Sequence, residues 1–156
     1  LASGCVVLGM RSLALARKNQ RERRKHLRRS KMILRKLKKW ARLSPHSAMM
    51  YFQILLAETE SILGENDRAY AAYVCAIHVS DQEQGLIANA VAKASLGLHL
   101  YRLGNKAQSQ DMLEQACESF DKWGAVTVRK RLEGDMERLF AIPAERKELR
   151  YSSRSM

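Results

Sequence analysis

The chain has 156 residues, 46% of them apolar, and a net charge of +12, which is enough apolar material for one domain core, here expected over residues 1–140, without disulfides or metal. Three cysteines, Cys5, Cys75 and Cys117, form no C-x-x-C pair and leave an odd thiol under any pairing, which argues against a disulfide framework and for a reducing, cytoplasmic setting. The N-terminal apolar run, Cys5 to Met10, stops at Arg11, far short of the ~20 residues that a bilayer span needs, and its charges follow it where a secretory leader would carry them in front.

The chain opens on Leu1, which suggests a segment of something longer. Residues 17–42 then hold 14 Lys and Arg against a single acid, Glu22, while the other 130 residues are balanced at 14 basic against 15 acidic. The basicity is thus one local feature, expected as a basic helix, and not a property of the whole surface. With only two prolines, and eight glycines that fall mostly at boundaries, almost everything else reads as helix with short connections.

Ser44 followed by Pro45 marks a helix start, because the Ser hydroxyl is placed to accept from an orphan N–H and Pro loses nothing at the first helical position. From there Ala48, Phe52, Leu55, Leu56, Thr59 and Leu63 recur at three and four residues, and Gly64 suits a left-handed stop. Asn66 is expected to cap the next helix, through Ala69, Tyr73, Ala76 and Ile77. Ser80 with Glu83 has the spacing of a capping box and is expected to open a third helix that ends at Leu103, before Gly104. Asn105 repeats the Asn66 cap, its helix ends at Trp123 and Gly124, and a last amphipathic helix carries Val128, Leu132, Met136, Leu139 and Phe140. Residues 141–156 are expected to be a disordered tail.

The two middle units are copies at an offset of 40 residues: Leu56, Leu63, Gly64, Ala69, Tyr73 and Ala76 map onto Leu96, Leu103, Gly104, Ser109, Leu113 and Ala116. Each joins a long helix to a shorter one by a Gly turn. A small residue follows the Gly by five positions, letting two antiparallel helices approach, and a large apolar residue four further on plugs the next pair. The expected fold is all-α, antiparallel helix pairs stacked as a short right-handed superhelix.

At these positions the chain resembles the tetratricopeptide repeat, whose Leu-Gly pair, small residue and aromatic are visible in Leu96, Gly97 and Ser109 and, in the other copy, in Ala69 and Tyr73. The bulky first-helix residues of that pattern are replaced here by Gln53 and Glu60, then by Lys93 and Leu100, and the period is longer than the usual one of about 34. A narrower resemblance lies in Lys38-Lys39-Trp40-Ala41, Ser44-Pro45, Leu55 through Glu58, Ala88-Asn89-Ala90 and Lys122-Trp123-Gly124-Ala125. These look like the helical region of large signalling proteins that combine a predicted AAA-type ATPase with kinase, histidine kinase or nucleotide cyclase modules. The likeness covers roughly residues 5–135, with Trp40 and Trp123-Gly124-Ala125 its most specific parts, and it departs at the basic stretch 17–31. It implies a non-catalytic interaction and signal-transmission module whose partner is another protein or a neighbouring domain of the same polypeptide. The inner surface, made by the first helix of each pair, is where that partner would lie, and Gln53, Glu60, Lys93 and Leu100 are the slots to inspect.

No G-x-x-x-x-G-K-[ST] or G-x-G-x-x-G is present, so this segment holds neither phosphate loop. His26, His46, His78 and His99 lack ligand spacing, and no metal or other cofactor is expected. Cys75 and Cys117 lie beside Ala76 and Ala116 on what should be packed faces, where thiols are inert. Glu58 and Glu60 point to different helix faces and read as solvated surface.

For the basic helix three readings compete. Leu27, Leu34, Leu37 and Trp40 form a stripe that packs on the helix beginning at Pro45, leaving Arg24, Lys25, Arg28, Arg29, Arg35 and Lys36 as a wet face; or the cations contact RNA or an acidic membrane, weakly and without sequence preference; or the helix is a calmodulin target with anchors at 27, 34 and 40.

Overall fold

The computed structural model describes residues 2–140, with side chains from residue 4 onward; the tail expected at 141–156 lies outside the described residues. Among the described residues seven helices follow one another, α1 (Ala2–Lys18), α2 (Arg23–Leu43), α3 (Pro45–Leu63), α4 (Asn66–Gln82), α5 (Leu86–Arg102), α6 (Lys106–Lys122) and α7 (Val126–Phe140), and there is no strand. α1 was not foreseen as a separate element. The basic stretch accordingly divides: Arg17 and Lys18 end α1, residues 19–22 turn, and the basic helix proper is α2.

From α3 onward every connection has the same construction. Gly64, Gly104 and Gly124 adopt φ of 84°, 84° and 80°, and Gln84 adopts 54°, so a left-handed residue recurs every twenty positions. At each turn the left-handed residue donates its N–H to the carbonyl three before it, and the next residue donates to the carbonyl five before it. For the first turn these are Gly64 to Ser61 at 3.3 Å and Glu65 to Glu60 at 3.0 Å; for the second, Gln84 to Asp81 at 3.3 Å and Gly85 to Ser80 at 2.8 Å. That pair of bonds satisfies two of the helix's orphan carbonyls. The 40-residue period is therefore two identical twenty-residue halves, and the long-short alternation expected within a unit is absent: α3 has 19 residues and α4, α5 and α6 have 17 each.

The third helix does not start at Ser80. Ser80 is buried inside α4, donates its hydroxyl to the Ile77 carbonyl, and serves as acceptor for Asn89; α5 begins at Leu86. The Ser–Glu spacing fits a capping box, but the chain breaks four residues later, at Gln84–Gly85. The Asn105 cap is present, its side chain accepting from the Gln108 N–H, whereas Asn66 is already helical and makes no capping bond. α3 does start at Pro45, yet the Ser44 hydroxyl meets the Ser47 hydroxyl at 2.9 Å and no backbone N–H.

The helices stack as antiparallel pairs, α1 with α2, α3 with α4, α5 with α6. α1, α3 and α5 lie side by side, and α2 and α4 each pack against the first helix of their own pair and the first helix of the next; α7 rests on α6. Ala69, Ser109, Ala76 and Ala116 are all fully buried at the helix crossings, as the offset-40 register requires. Between α5 and α6 the approach is close: the Ser109 hydroxyl donates to the Gly97 carbonyl at 2.7 Å, and a Cβ on Gly97 would sit 2.6 Å from Leu113 Cγ. Leu63, Leu103 and Val128, expected on packed faces, are 43%, 49% and 44% exposed; Leu63 and Leu103 fall on the last residue before a turn, where the chain has left the interface.

Two pairs of substitutions test this construction in urea. Gly97→Ala is expected to cost about 1–3 kcal/mol through overpacking, while Gly134→Ala, with nothing within 4 Å of the new Cβ, should gain up to about 1 kcal/mol from helix propensity. Gly104→Ala should cost about 1 kcal/mol at its left-handed turn, and Gln84→Gly should gain up to about 1 kcal/mol by removing the side chain from the same conformation. A Gln84→Gly chain less stable than the parent would mean that the Gln side chain itself holds the turn.

Candidate functional site

The side-by-side packing of α1, α3 and α5 brings Arg17, Glu58, Ser61, His99 and Arg102 together with Tyr73 of α4. Glu58 is the centre. It is only 8% exposed, so its carboxylate must be paired. Arg17 Nη2 donates to Glu58 Oε2 at 3.0 Å and to Ser61 Oγ at 3.1 Å, and the Tyr73 hydroxyl donates to Glu58 Oε1 at 2.5 Å. Ser61 Oγ and His99 Nδ1 are 2.8 Å apart. A hydroxyl oxygen has two lone pairs, so Ser61, while accepting from Arg17, either donates to Nδ1 or accepts from it, as the imidazole tautomer decides. The Tyr73 and His99 rings face each other with centroids 5.6 Å apart. Glu58, read from the sequence as solvated surface, is thus a buried ion that joins three helices, α1, α3 and α4. The sequence signal that could have found it is the pairing of an acid on an apolar helix face with a Tyr, fifteen residues on, on the packed face of the next helix.

The electrostatics follow from that arrangement. Burial, and then the charge of Glu58, push the Tyr73 hydroxyl well above the usual phenol range, so it stays a donor. Desolvation first, then the positive charge of Arg102, lower the pKa of His99 below its ordinary value. Desolvation and the facing Arg17 also lower Arg102, though Glu58 and Tyr73 oppose this. Arg102 acts on the cluster through its charge, and His99 Nε2 is buried beside the Asn66 backbone without a partner of good hydrogen-bond geometry. The arrangement ties α1, α3, α4 and α5 to one another.

A second buried network ties the other ends together. Asn89 Nδ2 donates to Asp81 Oδ1 at 2.7 Å and to Ser80 Oγ at 3.2 Å, and Asn89 Oδ1 accepts from the Ser119 hydroxyl at 3.2 Å. Asn89, the centre of the Ala88-Asn89-Ala90 run, thus links α4, α5 and α6.

The expected partner-facing residues lie on α3 and α5. Gln53, Glu60 and Lys93 are half-buried, and no hydrogen bond or ion pair joins them; Gln53 Nε2 reaches only the Met49 sulfur, at 3.8 Å. Leu100 is not a surface residue at all: it is 5% exposed, in the core with Ala57, Ala69, Tyr73 and Leu96, and acts as filler. On α2, by contrast, Arg24, Lys25, Arg28, Arg29, Arg35 and Lys36 are all exposed. Its opposite side is committed to packing: Leu37 is fully buried, and Leu27, Leu34 and Trp40 pack half-buried against Leu13, Ala16, Leu55 and Ile62. Arg23 turns inward and donates to the Ile62 carbonyl at the end of α3, at 2.6 Å.

Cys117 is buried, its thiol 3.9 Å from the Met136 sulfur, and Cys5 and Cys75 are partly buried. Among the described residues no three of His, Cys, Asp and Glu converge on a common point, and no helix is long and apolar enough to cross a membrane.

Removing the centre of the ion cluster should be costly. Glu58→Gln is expected to lose about 2–3 kcal/mol, because Arg17 and Arg102 then face each other without their counter-ion, and Tyr73→Phe about 1.5–3 kcal/mol. His99, with a lowered pKa, binds fewer protons folded than unfolded, so stability should fall as pH drops below about 6.5. The exposed His46, raised by its hydrogen bond to Glu83, works in the opposite sense, gaining stability at low pH and losing it as pH rises. The measurement is therefore the difference in urea midpoint between parent and His99→Gln across pH 7.5 to 5: the acid-side loss should shrink in the variant, and an unchanged slope would show that His99 does not titrate with folding.

Compared with protein-family models, with curated proteins and with solved structures, the chain finds no match.

Proposed function

We propose that the chain is a non-catalytic protein-interaction and signal-transmission module, a segment of a larger cytoplasmic signalling ATPase or kinase. The observation that carries this reading is the layer of α1, α3 and α5, which lie side by side and are cross-linked by the Arg17–Glu58–Ser61–His99 chain of contacts. A layer clamped in this way moves as one body, so displacement of one helix by a bound domain is passed to the others. The resemblance to the helical region of multidomain signalling ATPases supports the same reading, and two of the runs that carry it have structural work here: Trp123-Gly124-Ala125 builds the fourth left-handed turn and Asn89 the three-helix latch.

Site-specific photo-cross-linking tests it. A photoreactive residue at Glu60 or Lys93, in the protein as expressed in its own cells, should give protein adducts at defined positions on a neighbouring domain or partner. Absence of adducts at both positions, or ATP hydrolysis or phosphotransfer by the purified chain, would overturn the reading.

The burial of the α2 stripe bears on calmodulin. Docking on calmodulin needs Leu27, Leu34 and Trp40 free, and they are already packed on α1 and α3. In a Trp123→Phe chain, Trp40 fluorescence should be blue-shifted, partly quencher-protected, and unchanged by calcium-loaded calmodulin. A Trp40 that is wet at rest and becomes buried on adding calmodulin would reverse this.

A further inference from the structure

The exposed half of α2 is organised. Arg24, Arg28, Lys31, Arg35, Lys38 and Arg42 recur at four and three residues, which places six cations in one unbroken row along the helix. A second row at the same spacing, Lys25, Arg29, Lys36 and Lys39, is interrupted by Met32 and Leu43, which are 57% and 76% exposed. All ten cations are exposed, and among the described residues no carboxylate holds a cation of the first row; in the second, only Lys25 approaches a described one, Glu22, at 3.9 Å. Among the described elements only α1 and α3 touch α2, both on its opposite side.

We infer that the first row of α2 is a docking track for the phosphate backbone of a nucleic-acid duplex, bound without sequence preference. The row is roughly 27 Å long, about one cation per 5 Å. A duplex carries one phosphate charge per ~1.7 Å of axis, so the row is always met by an excess of the opposite sign, and each cation seated on a phosphate releases counter-ions. Recognition of single strands relies on exposed aromatic rings that stack on bases. α2 has one aromatic residue, Trp40, and its ring packs in the core cluster. The exposed face carries no Asn, Gln or acid to read adenine or cytosine edges, and its evenly spaced Arg and Lys are the residue types that seat on phosphates.

A lipid surface fits less well. An amphipathic helix enters a membrane with its apolar face, and that face of α2 is spent on Leu13, Leu55 and Ile62. The cations also cover about half the circumference of the helix, while a plane meets only one side of a cylinder. This inference uses the face opposite the α1–α3 contacts and stands independently of the interaction-module reading.

The test compares two variants of equal charge in the full chain, Arg28, Lys31, Arg35 and Lys38 all to Gln in the first row, and Lys25, Arg29, Lys36 and Lys39 all to Gln in the second. Circular dichroism and urea midpoints control for folding, and fluorescence anisotropy on a labelled mixed-sequence DNA duplex reads binding. For the parent, log affinity against log salt should have a slope of about −4 to −5, since each phosphate neutralised contributes about −0.9. The first-row variant should bind at least about tenfold more weakly at ~0.1 M salt, with its slope flattened by about 3, and the second-row variant should change less than about threefold. No duplex binding by the parent, equal losses in the two variants, tighter binding to the single strand than to the duplex, or capture of the chain by phosphatidylserine vesicles in the presence of excess duplex would each overturn the proposal.

Discussion

A left-handed residue at positions 64, 84, 104 and 124 is the constraint on which the stack depends. Once a turn consumes about three residues and closes with the same two backbone bonds, each helix between turns has a fixed length, and each next helix leaves in a fixed direction. Equal lengths keep the helix phase constant, so a residue at a given distance from one turn meets the same neighbour as its counterpart forty residues on. That is why Ala69 and Ser109, Tyr73 and Leu113, and Ala76 and Ala116 are all fully buried. The small members of these pairs let the helices approach until a hydroxyl reaches a backbone carbonyl, as Ser109 reaches Gly97.

Close packing leaves little room for water, and the polar groups inside must satisfy one another. Glu58 is the demanding one. A carboxylate taken out of water is unfavourable by several kcal/mol unless it is paired, and its partners come from helices distant in the chain: Arg17, 41 residues before it, and Tyr73, 15 after. The ion thus adds specificity to a core made mostly of Ala and Leu, since only one relative placement of α1, α3 and α4 brings those partners to both of its oxygens. Asn89 performs the same service for α4, α5 and α6 with neutral groups.

The repeat, the all-helical fold and the buried stripe of α2 were legible because each rests on periodicity, which a linear reading preserves. The Gly64, Gly104 and Gly124 stops were legible because few other residues tolerate positive φ. Gln84 was not, since it takes the conformation of its three glycine counterparts with a side chain attached, and the glycine that would have marked the turn stands one residue later. That displacement made Ser80 and Glu83 read as a helix start. Glu58 was misread for a different reason: a residue's partners across forty positions are set by the stacking, and nothing local separates a buried acid from a solvated one. Leu100 occupied a slot where the repeat pattern carries a bulky residue, and the structure gives it that residue's packing role, so its loss of aromatic character says nothing about binding.

The twenty-residue pitch also bears on how such a chain changes length over evolutionary time. Because all four turns are alike, a segment can be gained or lost at any of them with little local disturbance. An insertion or deletion of two pitches returns every downstream helix to its own layer. One of a single pitch would send each downstream helix to the opposite layer, carrying Asn89 or Tyr73 away from its partners. Gain or loss by whole pairs is therefore the route that keeps each downstream helix in its own layer.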